Sequence, residues 1–237
     1  MNRHSPANGL SVLLLAALLP ARAATPATRP VVLELFTSQG CSSCPPADAL
    51  LGQVAGRPDV IALAFHVDYW DYLGWRDAFE LPQSAPRQQR YANALSRAGS
   101  FTPQLVIDGA QSVVGSDARA LRSALATPRS GVPVQLSLDD QAVSIGVAAR
   151  AAVPSEVVAV SYLARATTRV GRGENGGSTL TEFNIVRSVH PLGLLDGQMQ
   201  RFTLPRSALP RDATGVAVLV QGVNQGAVQG AAAIALR

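Results

Sequence analysis

The chain has 237 residues and two cysteines, which are spaced Cys-x-x-Cys as Cys41 and Cys44. This spacing lets the two sulfurs meet in a disulfide without long-range folding. Such a pair can be a redox centre, can supply two thiolates to a metal, or can be a permanent staple. Closing so small a loop stabilises a fold by less than the roughly 3 kcal/mol expected for about 15 residues. We therefore expect a redox centre in preference to a staple.

The cysteines lie between a predicted strand and a predicted helix. Residues 29–36, RPVVLELF, form an apolar run typical of a strand buried on both faces. The segment PPADALLGQV after Cys44 has apolar side chains at helical spacing. Because a helix start favours an anion, Cys41 is predicted to be the exposed nucleophile and Cys44 the resolving thiol.

The remainder of the chain changes character near its middle. The first half alternates predicted strands and helices, with strands at 60–68, 105–107 and 112–114 and helices from about 85 and 117. The second half consists of short alternating β-rich runs broken by Gly, Pro and Asp, a pattern typical of an antiparallel sandwich or partial barrel.

Four segments of the sequence carry a resemblance to a known family: LELFTSQGCSSCPPAD, HVDYWDYLGW, FTPQLVIDG and GENGGSTLTEFNIVRSV. The order of the elements is similar to that of the thioredoxin superfamily. Together the segments resemble a family of exported thioredoxin-like proteins catalogued as a domain of unknown function, from about Val31 nearly to the C-terminus. The resemblance implies a thioredoxin-like fold and thiol chemistry, and it names no reaction or substrate. Unlike the superfamily's common form, no Trp precedes Cys41.

These observations predict two domains after a leader. Residues 29–128 are predicted to be an α/β thioredoxin-like domain. Residues 131–237 are predicted to be an all-β, antiparallel and sandwich-like domain, with residues 127–133, TPRSGVP, as the linker between the two.

Five further residues are candidates for the site. Glu34 interrupts the apolar strand before the cysteines, and a carboxyl buried beneath them could take the proton from Cys44. Thr102 and Pro103 precede a strand, and in a redox fold of this type a cis proline presents backbone to the partner chain. Trp70 and Trp75, the only tryptophans, lie in an aromatic cluster that is either a docking surface for a peptide or a satellite core. The glycine-rich segment 171–184 is predicted to be a hairpin loop, which can face this site.

A second class of function stays open at this point. His66 ends the second predicted strand, near the cysteine loop, and two thiolates with one imidazole make a credible site for a soft metal. The alternative to an oxidoreductase is therefore a copper-type chaperone or a peptide-binding module that uses Cys41, Cys44 and His66. For the oxidoreductase itself we expect no cofactor.

The N-terminus predicts where the protein is located, and the composition limits the partners that we expect. Residues 1–23 have a weakly positive start, a short apolar run and a small-x-small cleavage site, which predicts a signal peptide and an exported protein, periplasmic or secreted. No later segment is predicted to span a membrane. The formal charge of +4 shows no basic stripe, so nucleic acid is not an expected partner. The predicted partners are thiols and disulfides of proteins or small molecules.

Overall fold

The structure, a computed structural model, describes residues 1, 27–96, 99–148 and 151–236. The predicted signal peptide at residues 1–23 lies outside these residues apart from Met1. No helix in the described ranges is long and apolar enough to cross a membrane.

The described residues are mostly β-structure, with three α-helices. The helices are α1 (Pro45–Val54), α2 (Ser84–Ala94) and α3 (Ala118–Ala126). The strands of the first half are β1 (Ala27–Thr28), β2 (Val31–Thr37), β3 (Val60–His66), β4 (Gln104–Ile107) and β5 (Gln111–Val114). Those of the second half are β6 (Ser130–Gly131), β7 (Val134–Leu138), β8 (Ala142–Val147), β9 (Ser155–Arg169), β10 (Thr179–Leu194), β11 (Gln200–Pro205), β12 (Gly215–Gly222) and β13 (Val228–Ala235).

One mixed sheet of eight strands runs through both halves of the chain, in the order β13-β12-β9-β10-β3-β2-β4-β5. The predicted fold class, a thioredoxin-like α/β domain followed by a separate all-β domain, is therefore wrong. The predicted boundary between residues 128 and 131 falls just before β6, and as a boundary between independently folding units it stays a prediction.

The two halves join at β3, which pairs in parallel with β2 on one side and with β10 on the other. The pairing with β10 sets Ile185 opposite Ala64. A strand that pairs on one side still has a row of free backbone N–H and C=O groups on the other, and these groups are stabilised by another strand. Because β10 takes this edge, the hairpin of β9 and β10 extends the first-half sheet instead of forming the predicted separate sandwich.

Other elements of the chain pack on both faces of the large sheet. The face on which a side chain lies therefore determines which of these elements it contacts. On one face α2 contributes Tyr91 to a core that also contains Val32, Phe36, Val158 and Leu219. On the other face α1 and α3 cover the half around β2 and β3. The three-stranded sheet β11-β8-β7 covers the half around β9 and β12 on that same face. Successive residues of a strand alternate between the two faces.

Candidate active site

The two cysteines form a disulfide at the junction of β2 and α1, with their Cα atoms 5.4 Å apart. Cys44 is the N-cap residue of α1, and Pro45 and Pro46 occupy its first turn, where a missing N–H is tolerated. The backbone N–H of Cys44 donates to the carbonyl oxygen of Cys41 at 3.1 Å. The predicted disulfide is confirmed, and it lies at the carboxyl end of a central strand.

The predicted exposure of Cys41 is wrong. Both cysteines have no accessible surface, whereas Ser42 and Ser43 between them are exposed. The loop between β9 and β10, which is part of the glycine-rich segment and is called the covering loop below, lies against the backbone of the disulfide loop. The Asn175 side-chain amide donates to the carbonyl oxygens of Gln39 at 3.0 Å and Cys41 at 2.9 Å.

A carboxylate from the same loop adds a third contact. Oε2 of Glu174 accepts a hydrogen bond from the backbone N–H of Ser42 at 3.0 Å, which lowers the pKa of Glu174. The predicted hairpin loop facing the cysteines is confirmed for residues 171–178, whereas the segment from Thr179 onward belongs to β10. Its side chains hold the backbone of the disulfide loop from outside.

Trp70, Thr102 and Pro103 lie beside the disulfide loop, and their predicted role in substrate binding stays a prediction. The indole N–H of Trp70 donates to Oγ1 of Thr102 at 2.8 Å, and the Thr102–Pro103 peptide bond is cis. A Cβ atom at Gly40 would lie 2.8 Å from Cβ of Trp70, so Trp70 packs directly on the turn before Cys41. The structure thus brings these three residues to the edge of the site.

An aromatic surface continues outward from Trp70. The ring of Tyr72 stacks on Trp70 with centroids 6.5 Å apart, and Tyr72 is 78% exposed. Tyr69 and Phe101 add two further exposed aromatic side chains. Exposed aromatic side chains that cluster are typical of binding surfaces.

Trp75 takes a different place from Trp70. Its indole N–H donates to Oε1 of Gln39 at 3.0 Å, and its ring lies against Gly171, where a Cβ atom would be 3.0 Å away. Trp75 therefore packs between the loop before Cys41 and the covering loop. Its predicted role in substrate binding stays a prediction.

Glu34 lies on the face of β2 that α2 covers. Arg87 donates to its carboxylate from Nε at 2.5 Å and from Nη2 at 3.0 Å, and the Tyr91 hydroxyl also donates to it. Leu33 and Leu35 point to the opposite face, where α1 packs. The carboxylate is therefore held in a buried ion pair on the α2 side, and the structure does not bring it to the cysteines.

A cluster of buried ionisable groups lies beneath the disulfide loop instead. His66 at the end of β3 contacts Oδ2 of Asp77 through Nδ1 at 2.8 Å, and its Nε2 lies 3.8 Å from Oε1 of Glu182. Gln39 links the cluster to the loop before Cys41, because its backbone N–H donates to Asp77 and its side chain donates to Glu182.

Electrostatic attraction between His66 and Asp77 determines the protonation states of these two groups. Burial acts to lower the pKa of His66, but the negative Asp77 and the hydrogen bond to it outweigh burial and raise that pKa to about 9. For Asp77, burial acts to raise the pKa, but the charge of His66 and the hydrogen bonds leave it below its ordinary value. Burial raises the pKa of Glu182. At neutral pH the cluster therefore contains a charged imidazolium and an ionised Asp77.

Asp48 in the first turn of α1 is the fourth ionisable member. It is only 7% exposed, and its backbone N–H donates to the carbonyl oxygen of Cys44 at 3.1 Å. Burial raises the pKa of Asp48 to about 7, against the opposing charge of His66. Sequence analysis did not assign Asp48, Asp77 or Glu182 to the site. For Asp48 a signal was present, since residues four apart at a helix start share a face.

The donor set of the metal alternative is not assembled in the described residues. The sulfurs of Cys41 and Cys44 are bonded to each other, and Nδ1 of His66 is engaged by Asp77. Across the ranges that the structure describes, no group of three or more His, Cys, Asp or Glu side chains is arranged to hold a metal ion.

Comparisons with known proteins agree on a family and leave the reaction open. The model of the family described as "Protein of unknown function (DUF1223)" matches residues 32–221. A crystal structure of a protein from Agrobacterium tumefaciens is similar, with 32% identity, a TM-score of 0.76, and coverage of 89% of this chain and 96% of that one. The family match supports the resemblance to a domain of unknown function and does not extend to the thioredoxin superfamily.

A more distant structure shares the fold alone. It is HBP35 of Porphyromonas gingivalis, with 13% identity, a TM-score of 0.59, and coverage of 88% of this chain and 76% of that chain. No curated protein sequence matches the chain significantly.

Proposed function

We propose that this chain, which belongs to the DUF1223 family of proteins of unknown function, is an exported thiol–disulfide oxidoreductase. The observation that carries the proposal is the position of the disulfide. Cys44 is the N-cap residue of α1, and Trp70, which donates to Thr102, packs on the turn before Cys41. A four-residue loop contributes little as a staple, whereas a helix N-terminus next to an aromatic surface suits an exchange reaction.

The cover over the disulfide is compatible with exchange because much of it consists of polar contacts that can open. The two hydrogen bonds from Asn175 each contribute about 1 kcal/mol. With the hydrogen bond to Glu174, a net cost of about 3 kcal/mol leaves an open state populated at somewhat under 1%. Substrates therefore reach Cys41 after the loop lifts, and the closed form protects the disulfide between reactions.

The reaction proceeds by two exchange steps. A thiolate of a partner attacks the sulfur of Cys41, so that a bond forms between these sulfurs and the Cys41–Cys44 bond breaks, leaving the electron pair on Cys44. A second thiolate of the partner then attacks the partner sulfur and releases Cys41. The partner loses two electrons and two protons, and the protein gains both. The same two exchange steps, run in reverse, reduce a disulfide of the partner.

The partners are thiols and disulfides of proteins or small molecules, in an oxidising compartment. The disulfide fits an exported protein, since such bonds persist outside the cytosol. The apolar N-terminal leader supports the periplasm or secretion. The exposed Tyr69 and Tyr72 next to the site favour a protein partner.

A trapping variant tests the proposal in the native host. Cys44→Ala leaves Cys41 without its resolving thiol, so mixed disulfides with partners are expected to accumulate and to disappear on reduction. The control is the Cys41→Ala variant, in which the buried Cys44 remains and the same adducts are expected to be absent. If Cys44→Ala yields no adduct, or if the two variants yield the same adducts, the proposal is wrong.

A permanent structural disulfide is the second candidate, and it is favoured by the complete burial of both cysteines. The two functions differ in one property of the folded protein. A redox-active pair is reduced by dithiothreitol while the fold persists, whereas a structural pair resists until the protein unfolds. Alkylation of the freed thiols, with circular dichroism recorded in parallel, separates them.

A further inference from the structure

We propose that Asp48 exchanges a proton with the sulfur of Cys44 as the disulfide opens and closes. We further infer that His66, held by Asp77 and Glu182, is a positioning residue that sets the charge of Asp48. This inference rests on the proposed function and names the proton source of that reaction.

The geometry at the start of α1 places the two residues one helical turn apart. Cys44 has helical backbone dihedrals, φ −77° and ψ −39°, and its carbonyl oxygen accepts the backbone N–H of Asp48 at 3.1 Å. Residues related in this way lie one above the other on the same helix face. Both are buried, Cys44 fully and Asp48 to all but 7%, so this face is shielded from solvent.

The chemistry of opening requires a proton at this place. When a thiolate attacks Cys41, Cys44 leaves with the electron pair as a thiolate, and a buried anion is costly. Transfer from the carboxylic acid of Asp48 breaks its O–H bond and forms the S–H bond of Cys44. The negative charge then lies on Asp48, where His66 attracts it. Closing the disulfide runs the same transfer in reverse.

The surroundings of Asp48 keep both of its forms accessible. The charged groups that act on it are His66 from β3, Asp77 from the following loop and Glu182 from β10, and the Thr37 hydroxyl lies at the end of β2. Burial raises its pKa to about 7 while His66 opposes the rise. A proton carrier is most efficient when its pKa lies near the working pH.

His66 is suited to the positioning role because one of its nitrogens is fixed and the other has no hydrogen-bond partner. Nδ1 contacts Asp77 at 2.8 Å, whereas the buried Nε2 is without a hydrogen-bond partner among the described residues, with Glu182 at 3.8 Å. Asp77 thus holds the charged ring in place, and Nε2 faces Glu182 in the cluster. Glu34, the buried acid that precedes the cysteines, is committed to Arg87 on the opposite face.

The test measures the rate at which dithiothreitol reduces the disulfide of the folded protein between about pH 5.5 and about pH 8.5, a range that brackets the pKa of the acid. Asp48→Asn keeps the shape but cannot transfer a proton. The wild-type rate is expected to exceed the variant rate by about 100-fold below pH 7, and the ratio is expected to fall as pH rises through 7. Taking the ratio cancels the titration of the reagent itself.

Two further variants separate a proton carrier from a structural carboxyl. The matched control is Asp59→Asn, because Asp59 is exposed and pairs only with Arg57, and it is expected to follow the wild type at every pH. His66→Gln removes a positive charge, so the pH at which the rate advantage is lost is expected to move upward. If Asp48→Asn does not fold, the ratio of the His66→Gln rate to the wild-type rate is measured instead, and it is expected to rise as pH increases through 7.

The outcomes distinguish the inference from the function it rests on. A wild-type disulfide that resists dithiothreitol at every pH contradicts the proposed function. A disulfide that is reduced normally, with a rate ratio for Asp48→Asn that does not vary with pH or a His66→Gln profile that does not move, contradicts the proton transfer alone.

Discussion

Asn175 donates a hydrogen bond from its side-chain amide to the carbonyl oxygen of Cys41 at 2.9 Å, although the two residues are 134 positions apart in the sequence. A residue of the β9–β10 hairpin thereby closes the loop that contains the disulfide. The contact links the two halves of the chain at the candidate site, and we expect the covering loop to control access to the sulfurs.

Asn175→Ala is expected to open the site. The substitution removes both amide hydrogen bonds, to Gln39 and Cys41, so the closed form loses about 1–2 kcal/mol. Reduction of the disulfide by dithiothreitol is then expected to be about 10-fold faster, since 1.4 kcal/mol corresponds to a factor of ten. Stopped-flow tryptophan fluorescence measures the rate.

The matched control is Asn93→Ala, at an exposed position near the end of α2. It is expected to leave the reduction rate unchanged. Equal rates for wild type and Asn175→Ala would show that the loop does not limit access to the disulfide.

Tyr72→Ser is expected to weaken exchange with protein substrates and to spare exchange with small thiols. Tyr72 is exposed and stacks on Trp70, so the change removes aromatic surface next to the site and leaves the sulfurs untouched. Turnover with a disulfide-bonded protein substrate should fall about 3- to 10-fold. Leu194→Ser, on the exposed end of β10, removes apolar surface elsewhere and serves as the control. A parallel loss in both variants would argue against a docking role for the aromatic surface.

Arg87→Met is expected to destabilise the protein by about 3–5 kcal/mol, because it leaves the carboxylate of Glu34 buried without its partner. Urea unfolding followed by circular dichroism measures the loss. The double variant Glu34→Gln with Arg87→Met removes both charges and should recover part of the stability. A loss as large in the double variant as in the single one would show that the charge pair is not the cause.

The stability of the wild type is expected to fall as pH rises from 6.5 to about 9, because the folded state holds a proton on His66 more tightly than the unfolded state does. The contribution is complete below pH 6.5 and is lost through the folded pKa of about 9. A pKa raised from 6.5 to about 9 corresponds to about 3 kcal/mol.

The free energy of unfolding of His66→Gln, measured with urea across this range, should lack this fall. The control is His190→Gln, since burial lowers the pKa of His190 and its contribution is constant above pH 6.5. If His66→Gln loses stability with pH as steeply as the wild type, the proposed charge of His66 is wrong.

Local structure was predictable from local pattern. The apolar runs of β2 and β3 and the helical spacing of α1 appear where the sequence places them, and Asp117 caps α3 by accepting the N–H groups of Arg119 and Ala120. Each of these elements depends on residues a few positions apart, which is the range over which periodicity and capping act.

The sheet and the site depend on contacts that periodicity does not encode. The edge of β3 could accept several strands, and only tertiary packing selects β10. Glu34 forms an ion pair with Arg87, which lies 53 residues away in the sequence. This pair holds Glu34 away from the cysteines, to which sequence analysis had assigned it. The fold class was wrong for a further reason: β10, which joins both halves into one sheet, was not predicted as a strand, and it begins inside the segment 171–184 that was predicted to be a loop.

The most direct test of the central claim is a redox titration of the folded protein. The protein is equilibrated in dithiol–disulfide buffers of graded potential, its free thiols are alkylated and counted, and circular dichroism monitors the fold. The account predicts reversible two-electron reduction of Cys41–Cys44, with the fold retained, at a midpoint between about −120 and −270 mV. A pair that stays oxidised below about −300 mV, or that opens only as the protein unfolds, would identify a structural disulfide and contradict the account.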